Sequence, residues 1–149
     1  MRKLLNENCT LTEEDLMRVV RLDACVPLSF CTLEEIEELY LARPFGKDNP
    51  EPLFVARDCR LVCGRRFGKE RQYLNLDVRQ QGSTGLYSFT LFREVELFDE
   101  YIKGKFGQDG LDALYAGRCG EITLSLVFTA QVNEYRNQKK PQLLLKYYR

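Results

Sequence analysis

The chain has no histidine among its 149 residues. That absence removes Ser-His-Asp and Cys-His catalysis, histidine general bases and histidine-ligated metals together. Carboxylate chemistry stays open, but no Gly-rich phosphate loop accompanies it. Six cysteines stand at 9, 25, 31, 59, 63 and 119, with no C-x-x-C pair among them. Cys59 and Cys63 are four apart, which puts both on one face of a strand, and without histidine a structural zinc would need four thiolates. No metal site is expected. The opening MRKLLNENC has no apolar run of signal-peptide length. The thiols are therefore expected to be reduced, acting as small buried hydrophobes in a cytoplasmic protein. No run approaches the roughly 20 apolar residues of a membrane span, so no membrane partner is expected.

What is present suits one domain with a packed core: 44% apolar residues, including nine Phe and eight Tyr. The formal net charge of zero conceals a division. Residues 1–52 carry 6 Lys plus Arg against 11 Asp plus Glu, net −5, and residues 53–149 carry 16 against 11, net +5. A polyanionic partner would suit the second half alone.

The division falls at Pro44 to Phe54, PFGKDNPEPLF, which holds three of the five prolines. Proline fixes φ, lacks an N–H and pushes the preceding residue to extended conformations, so this stretch is a shaped connection. Before it the pattern is helical. Thr10 or Thr12 caps a first short helix with Leu16, Val19 and Val20 on one stripe. Thr32 and Glu35 form a capping box for a second, with Leu33, Ile36, Leu39 and Tyr40 facing inward and Glu34, Glu35, Glu37 and Glu38 solvated. After it the period becomes two. Leu53–Cys63, Gln72–Gln80 and Leu86–Phe92 are the first three predicted strands. The first two are joined by GRRFGKER with Gly64 and Gly68 as turn residues. Glu94–Lys103 is helical, with Leu111, Leu114 and Tyr115 adding a turn or two. The fourth strand has Ile122, Leu124, Leu126, Phe128, Ala130 and Val132 at every second position, and Gln142–Tyr148 is the fifth. The fold class is thus mainly β (α+β). Five strands with a helix between the third and fourth is the order of the OB-fold, a Greek-key barrel that binds oligonucleotides across strands 2 and 3 and its loops, although a five-stranded barrel of another topology would give the same order.

PFGKDNPEPLF also resembles the Pro-Phe-Gly-x-Gly-Asn-Pro-x-Pro-x-Phe signature of RecJ-type single-strand-specific exonucleases, where it leads into an OB domain. The tail VFTAQVNEYRNQKKPQLLLKYYR is similar to that family's closing hairpin, through Asn133, Glu134, Tyr135, Gln142, Leu143, Leu145, Lys146 and Arg149. LTEEDLMRVVRLDACVPLS and TLEEIEELYLARPFG look like the helical lead-in between nuclease core and OB domain. Asp48 departs from the family's Gly. Arg136-Asn137 replaces its Asn-Gly and suggests a different turn type. Pro141 falls at the start of the last strand.

The resemblance implies an acidic helical lead-in over 1–43 and an OB-fold-like nucleic-acid-binding domain over 44–149. In that family the Asp and His residues that hold two divalent metals, Mn or Mg, lie in DHH and DHHA1 domains. A chain without histidine has no DHH motif, so this one is expected to be no enzyme by itself. It would be a C-terminal piece or free-standing relative, partnered by DHH/DHHA1 domains in cis or in trans. Single-stranded DNA is the implied ligand. Arg57, Arg60, Arg65, Arg66, Lys69 and Arg71 would track phosphates, Tyr73 and Tyr87 would stack on bases, and Tyr135, Lys139 and Lys140 would form a second lip. Tyr73 shares a face with Asn75 and Asp77 and is expected exposed, whereas Phe89 belongs to the core. The rival function is a protein-docking module that positions a nuclease core or recruits a replication or repair partner through the acidic helices.

Overall fold

A computed structural model describes residues 20–149, so the first predicted helix, around Leu16 and Val19, lies outside the described residues. The elements run β1 (Ala24–Cys25), α1 (Leu33–Leu39), β2 (Phe54–Phe67), β3 (Tyr73–Gln80), β4 (Tyr87–Leu91), α2 (Val95–Tyr115), β5 (Thr123–Tyr135) and β6 (Gln138–Tyr148). The sheet order is β1-β2-β3-β4-β6-β5, and a further β2–β5 pairing closes the ring. The five long strands with a helix after the third give the OB-like barrel expected from their order. The sixth strand is a two-residue addition that pairs parallel with β2 through Ala24 and Cys25.

Closure depends on β2. It pairs antiparallel with β5 from Phe54 to Arg60 and with β3 from Cys59 to Phe67. Irregularities between Ala56 and Cys59 and between Leu61 and Cys63 let it bend from one partner to the other. Asp58, in the first of these, takes a positive φ of 54°. On the far side β4 and β6 pair parallel through Phe89–Leu143 and Thr90–Leu144.

The period-two pattern of the fourth predicted strand holds: Ile122, Leu124, Leu126, Phe128 and Ala130 are buried. They meet Leu61, Leu74, Leu76, Val78 and Phe89 in one core, where the Phe128 ring lies 5.2 Å from Phe89 and 5.9 Å from Phe54. α2 contributes Val95, Phe98, Ile102 and Leu114 to that core. The further turns expected around Leu111, Leu114 and Tyr115 form a second helical segment after Gly107, whose φ of 78° breaks the first.

The lead-in packs on the barrel. Thr32 Oγ1 accepts from the Glu35 N–H at 3.3 Å, so the predicted cap is present, and Ile36 is buried. Leu28 N–H donates to Gln80 Oε1 at 2.6 Å, and Val132 N–H donates to the Tyr40 hydroxyl at 2.6 Å. Val132 is the cross-strand partner of Pro141. Because its N–H points away from β6, the pair exchanges no ladder bond, and proline is tolerated inside β6 rather than only at its start. Between α1 and β2 the proline-rich stretch has no regular structure. Asn49 organises it, donating Nδ2 to the carbonyls of Ala42 (2.7 Å) and Pro44 (3.0 Å).

Three local expectations are corrected. Gly64 is no turn residue but lies within β2, where an added Cβ would stand 3.3 Å from Leu114 Cγ; the absent side chain makes room for α2. Arg136 and Asn137 both take positive φ, 51° and 58°, in a two-residue loop between Tyr135 and Gln138. This is the signature of the type I′ turn that Asn-Gly would make, so the turn type is not changed. Asp48 is not among the positive-φ residues and needs no left-handed tolerance.

The packing of the lead-in makes two effects measurable. Tyr40→Phe leaves the Val132 N–H without its acceptor and is expected to lower stability by roughly 1–3 kcal/mol in urea titration, with faster amide exchange at Val132. Burial pushes the Cys31 thiol up to about 11. Burial, with smaller contributions from Asp58 and Cys31, pushes Cys59 up to about 12, both from 9.0. A raised folded value favours the fold while the unfolded thiol is still protonated. Stability from these groups is therefore complete below pH 9.0 and declines as the pH rises toward 12. Urea midpoints measured across that window are expected to fall less steeply in Cys59→Ala.

Candidate nucleic-acid interface

Directly opposed residues on paired strands point to the same side of a sheet. The Gly64–Leu76–Phe89 and Leu61–Val78–Tyr87 rungs lead to the core, so the alternate rungs face outward. Three of these are continuous across β2, β3 and β4. Phe67 opposes Tyr73, beside Phe92 just past β4; Arg65, Asn75 and Thr90 form the next rung, and Cys63, Asp77 and Ser88 the third.

The first rung is an aromatic cluster. Tyr73 lies 5.3 Å from Phe67 and 5.2 Å from Phe92, and Phe67 and Phe92 are 38% and 43% exposed. Tyr73 is half-buried between them, less open than its polar strand neighbours suggested. The next turn, at Gly68 to Gln72, carries Lys69 and Arg71, both exposed; Gly68 (φ 93°) and Arg71 (φ 53°) supply its reversal. Arg65 extends over the second rung to bind Asp77 Oδ2 at 2.5 Å, while Asp77 Oδ1 accepts from the Ser88 hydroxyl. Asp77 is thereby 6% exposed, a buried carboxylate in place of the exposed one the alternation implied. Thr90 donates to Asn75 Oδ1 at 3.0 Å. The outer face thus offers ring surfaces at one end, amide and hydroxyl groups in the middle, and cations along the turn.

The remaining sequence candidates divide. Arg66 lies on β2 rather than in a loop, and its guanidinium is committed. Nε donates to the Tyr115 hydroxyl (3.2 Å), Nη1 to Glu96 (3.3 Å) and Nη2 to Asp99. The Tyr115 hydroxyl in turn donates to Asp99 at 2.6 Å. Burial, then the bond to Asp99, pushes Tyr115 up to about 12. This group fastens α2 to β2 and is no free phosphate ligand. Tyr87 opposes Val78, packs against the core and shares a contact with Ser83 Oγ at 3.3 Å, so its ring is not a platform on the outer face. Arg57 lines a groove with Val55, Val127 and Arg149 on the β5 side, away from Arg65. Arg60 is exposed opposite Arg79.

Tyr135, Lys139 and Lys140 lie at the β5–β6 hairpin. The parallel β4–β6 register puts it at the far end of the barrel face from Gly68 to Gln72. There Tyr135 is 66% exposed beneath the Arg136 guanidinium, 5.2 Å from its ring. Lys139 is ion-paired with Glu37 of α1 at 2.8 Å, and Lys140 borders a small groove with Asn133 and Gln138. Sequence reasoning missed Phe67 and Phe92. The cue for Phe67 was its place two residues after Arg65, which only becomes visible once β2 is carried past Gly64.

A family model described as the RecJ OB domain matches residues 22–147. The chain belongs to that family. The RecJ OB domain match includes α1 as well as the barrel up to Tyr147 in β6. Over 148 residues the chain is 28% identical to the single-stranded-DNA-specific exonuclease RecJ of Bacillus subtilis (strain 168), covering 98% of this chain and 16% of that relative. Two crystal structures of RecJ from Thermus thermophilus, with Mn2+ and with Mg2+, share the fold. Their TM-scores are 0.53 and 0.52 at 18% identity, over 89% of this chain and 16% and 17% of theirs. The chain therefore corresponds to about a sixth of the length of these RecJ proteins. Among the described residues no helix is long and apolar enough to cross a membrane, and no group of three or more Cys, Asp or Glu is disposed to hold a metal ion.

Within this RecJ OB domain both neighbouring arginines hold a carboxylate that is largely buried. Arg66→Met removes charge-assisted bonds to Asp99 and Tyr115 and is expected to cost roughly 1.5–3 kcal/mol in urea titration. Arg65→Met leaves the buried Asp77 carboxylate with the Ser88 hydroxyl and no cation, and is expected to cost roughly 1–3 kcal/mol although Arg65 itself is 64% exposed.

Proposed function

We propose that this chain is a single-stranded-DNA-binding OB domain, which holds substrate for a DHH-type exonuclease core supplied in cis or in trans and does not cut DNA itself. Residues 44–149 are the binding unit and 1–43 the acidic lead-in toward that core. The observation that carries this reading is the outward rung Phe67–Tyr73–Phe92, its two Phe rings exposed and Tyr73 half-buried between them, with Arg65, Lys69 and Arg71 beside it. Ring faces stack any base, and cations track phosphates without reading sequence, so the recognition would be indifferent to sequence. The membership in the RecJ OB family and the name of the Bacillus subtilis relative point the same way. DNA repair and recombination in the cytoplasm is the setting such an activity would serve.

A second function is favoured by a different observation. An apolar groove lined by Val26, Phe30, Cys31, Ile36, Leu39, Phe54 and Ala130 opens between α1 and the barrel, with Phe30 56% exposed. It would suit a docking module for the nuclease core or a repair partner. Pull-down that persists at high salt, with no oligonucleotide binding at any salt, would select it.

Fluorescence anisotropy with oligo-dT at low salt tests the first reading. Phe67→Ala and Tyr73→Ala are each expected to weaken binding by roughly 1–3 kcal/mol, and Arg65→Gln to reduce the magnitude of the salt slope by about 0.7. Unchanged affinity in both aromatic variants would overturn the assignment.

A further inference from the structure

Beyond the third outward rung, β2 and β3 bring two arginines together. Arg60 directly opposes Arg79 on β3, and on its other side it opposes Thr123 of β5. The row Thr123–Arg60–Arg79 crosses three strands, and all three residues are exposed. Like charges directly opposed on neighbouring strands destabilise a sheet, so this position is held against its electrostatics. No direct partner offsets it, since among the described residues neither guanidinium takes part in an ion pair or side-chain hydrogen bond. Arg65, Arg66 and Lys139, by contrast, each have a carboxylate partner.

The pair borders a polar cleft of about 390 Å³, whose other walls are Asp58, Gln80, Gln81, Gly82, Ser83 and Thr123. One carboxylate, Asp58, faces two guanidinium groups there. The cleft on the other side of Arg60 mixes Arg118 with Asp109 and Glu121 and is balanced in charge. Excess positive charge is therefore confined to the Arg60–Arg79 side.

Arg79 shares the outward side of β3 with Tyr73, Asn75 and Asp77. Six residues of strand at about 3.3 Å each separate the aromatic rung from the arginine rung by roughly 20 Å. We propose that the Arg60–Arg79–Thr123 cleft is a phosphate subsite, and that a nucleic-acid strand stacked on Phe67, Tyr73 and Phe92 runs along β2 and β3 to place its backbone between the two guanidinium groups. Planar forks suit phosphate oxygens better than a point charge would, and the Thr123 hydroxyl adds a neutral donor. This inference rests on the single-strand reading above and adds a direction and a second anchor to it. Arg60 becomes half of a paired anion site, and Arg79 and Thr123 join the interface.

The test uses the full chain, with oligo-dT of about 4 and about 16 nucleotides, the range of site sizes found for single OB barrels. In the double variant Arg60→Gln plus Arg79→Gln, the salt slope for the longer oligonucleotide is expected to shrink by roughly 1.4, from two phosphates at about 0.7 each. Raising salt fourfold would then cost the variant roughly sevenfold less affinity than it costs the wild type. Binding of the shorter oligonucleotide is expected to be unchanged in the double variant and weakened in Phe67→Ala. The double variant is expected to melt no lower than the wild type, since it loses only a like-charge opposition. An unchanged slope with the longer oligonucleotide, in a wild type that binds it, overturns the phosphate subsite and leaves the aromatic interface standing. Equal losses for both lengths overturn the proposed direction. No binding of either length by the wild type overturns the single-strand reading and this inference together.

Discussion

A single strand that serves two partners is the constraint on which this barrel depends. β2 must pair with β5 at its beginning and with β3 at its end, so it cannot be straight. Asp58, at positive φ within the first irregularity, and the second irregularity before Cys63 provide the bend. Gly64 then lets Leu114 and Tyr115 of α2 close in on the strand. The Arg66 group ties that helix to the same strand through Asp99 and the Tyr115 hydroxyl. Because β2 bends, its last residues, Arg65 and Phe67, share an outward face with β3 and β4. The position of the candidate interface is thus a consequence of how the ring is closed.

Closure also bears on what the surface can display. An exposed row of aromatic residues on an open sheet invites edge-to-edge association. Here the order β2-β3-β4-β6-β5 returns to β2, so no long strand of the ring is left with a wholly free edge, although at Phe67 β2 is paired with β3 alone.

Much of this was legible in the residues, and the exceptions have physical causes. The alternation from Ile122 to Ala130 located β5 because a half-buried strand must alternate, and the Thr32–Glu35 cap located α1 because helix N–H groups need acceptors. Gly64 misled, since a glycine read as a breaker was serving close packing. The cost was to end β2 too early, which placed Arg65 and Arg66 in a loop and hid Phe67. The arginines could not be sorted by sequence because their roles are set by partners far along the chain: Asp99 holds Arg66, Asp77 holds Arg65, and nothing among the described residues holds Arg60. Tyr87 and Tyr73 looked alike as strand tyrosines, and only the register with Val78 and Phe67 separates inward from outward.

The parallel contact of β4 with β6 rests on just two residue pairs, yet it completes the circle. In an open sheet one strand can slip past its neighbour at the expense of one seam. In a closed ring the same slip must be taken up at every other seam in turn. The registers that set Phe67 against Tyr73 and Arg60 against Arg79 are consequently as fixed as the circumference of the barrel, and the outer face of β2 and β3 is built like a ruler.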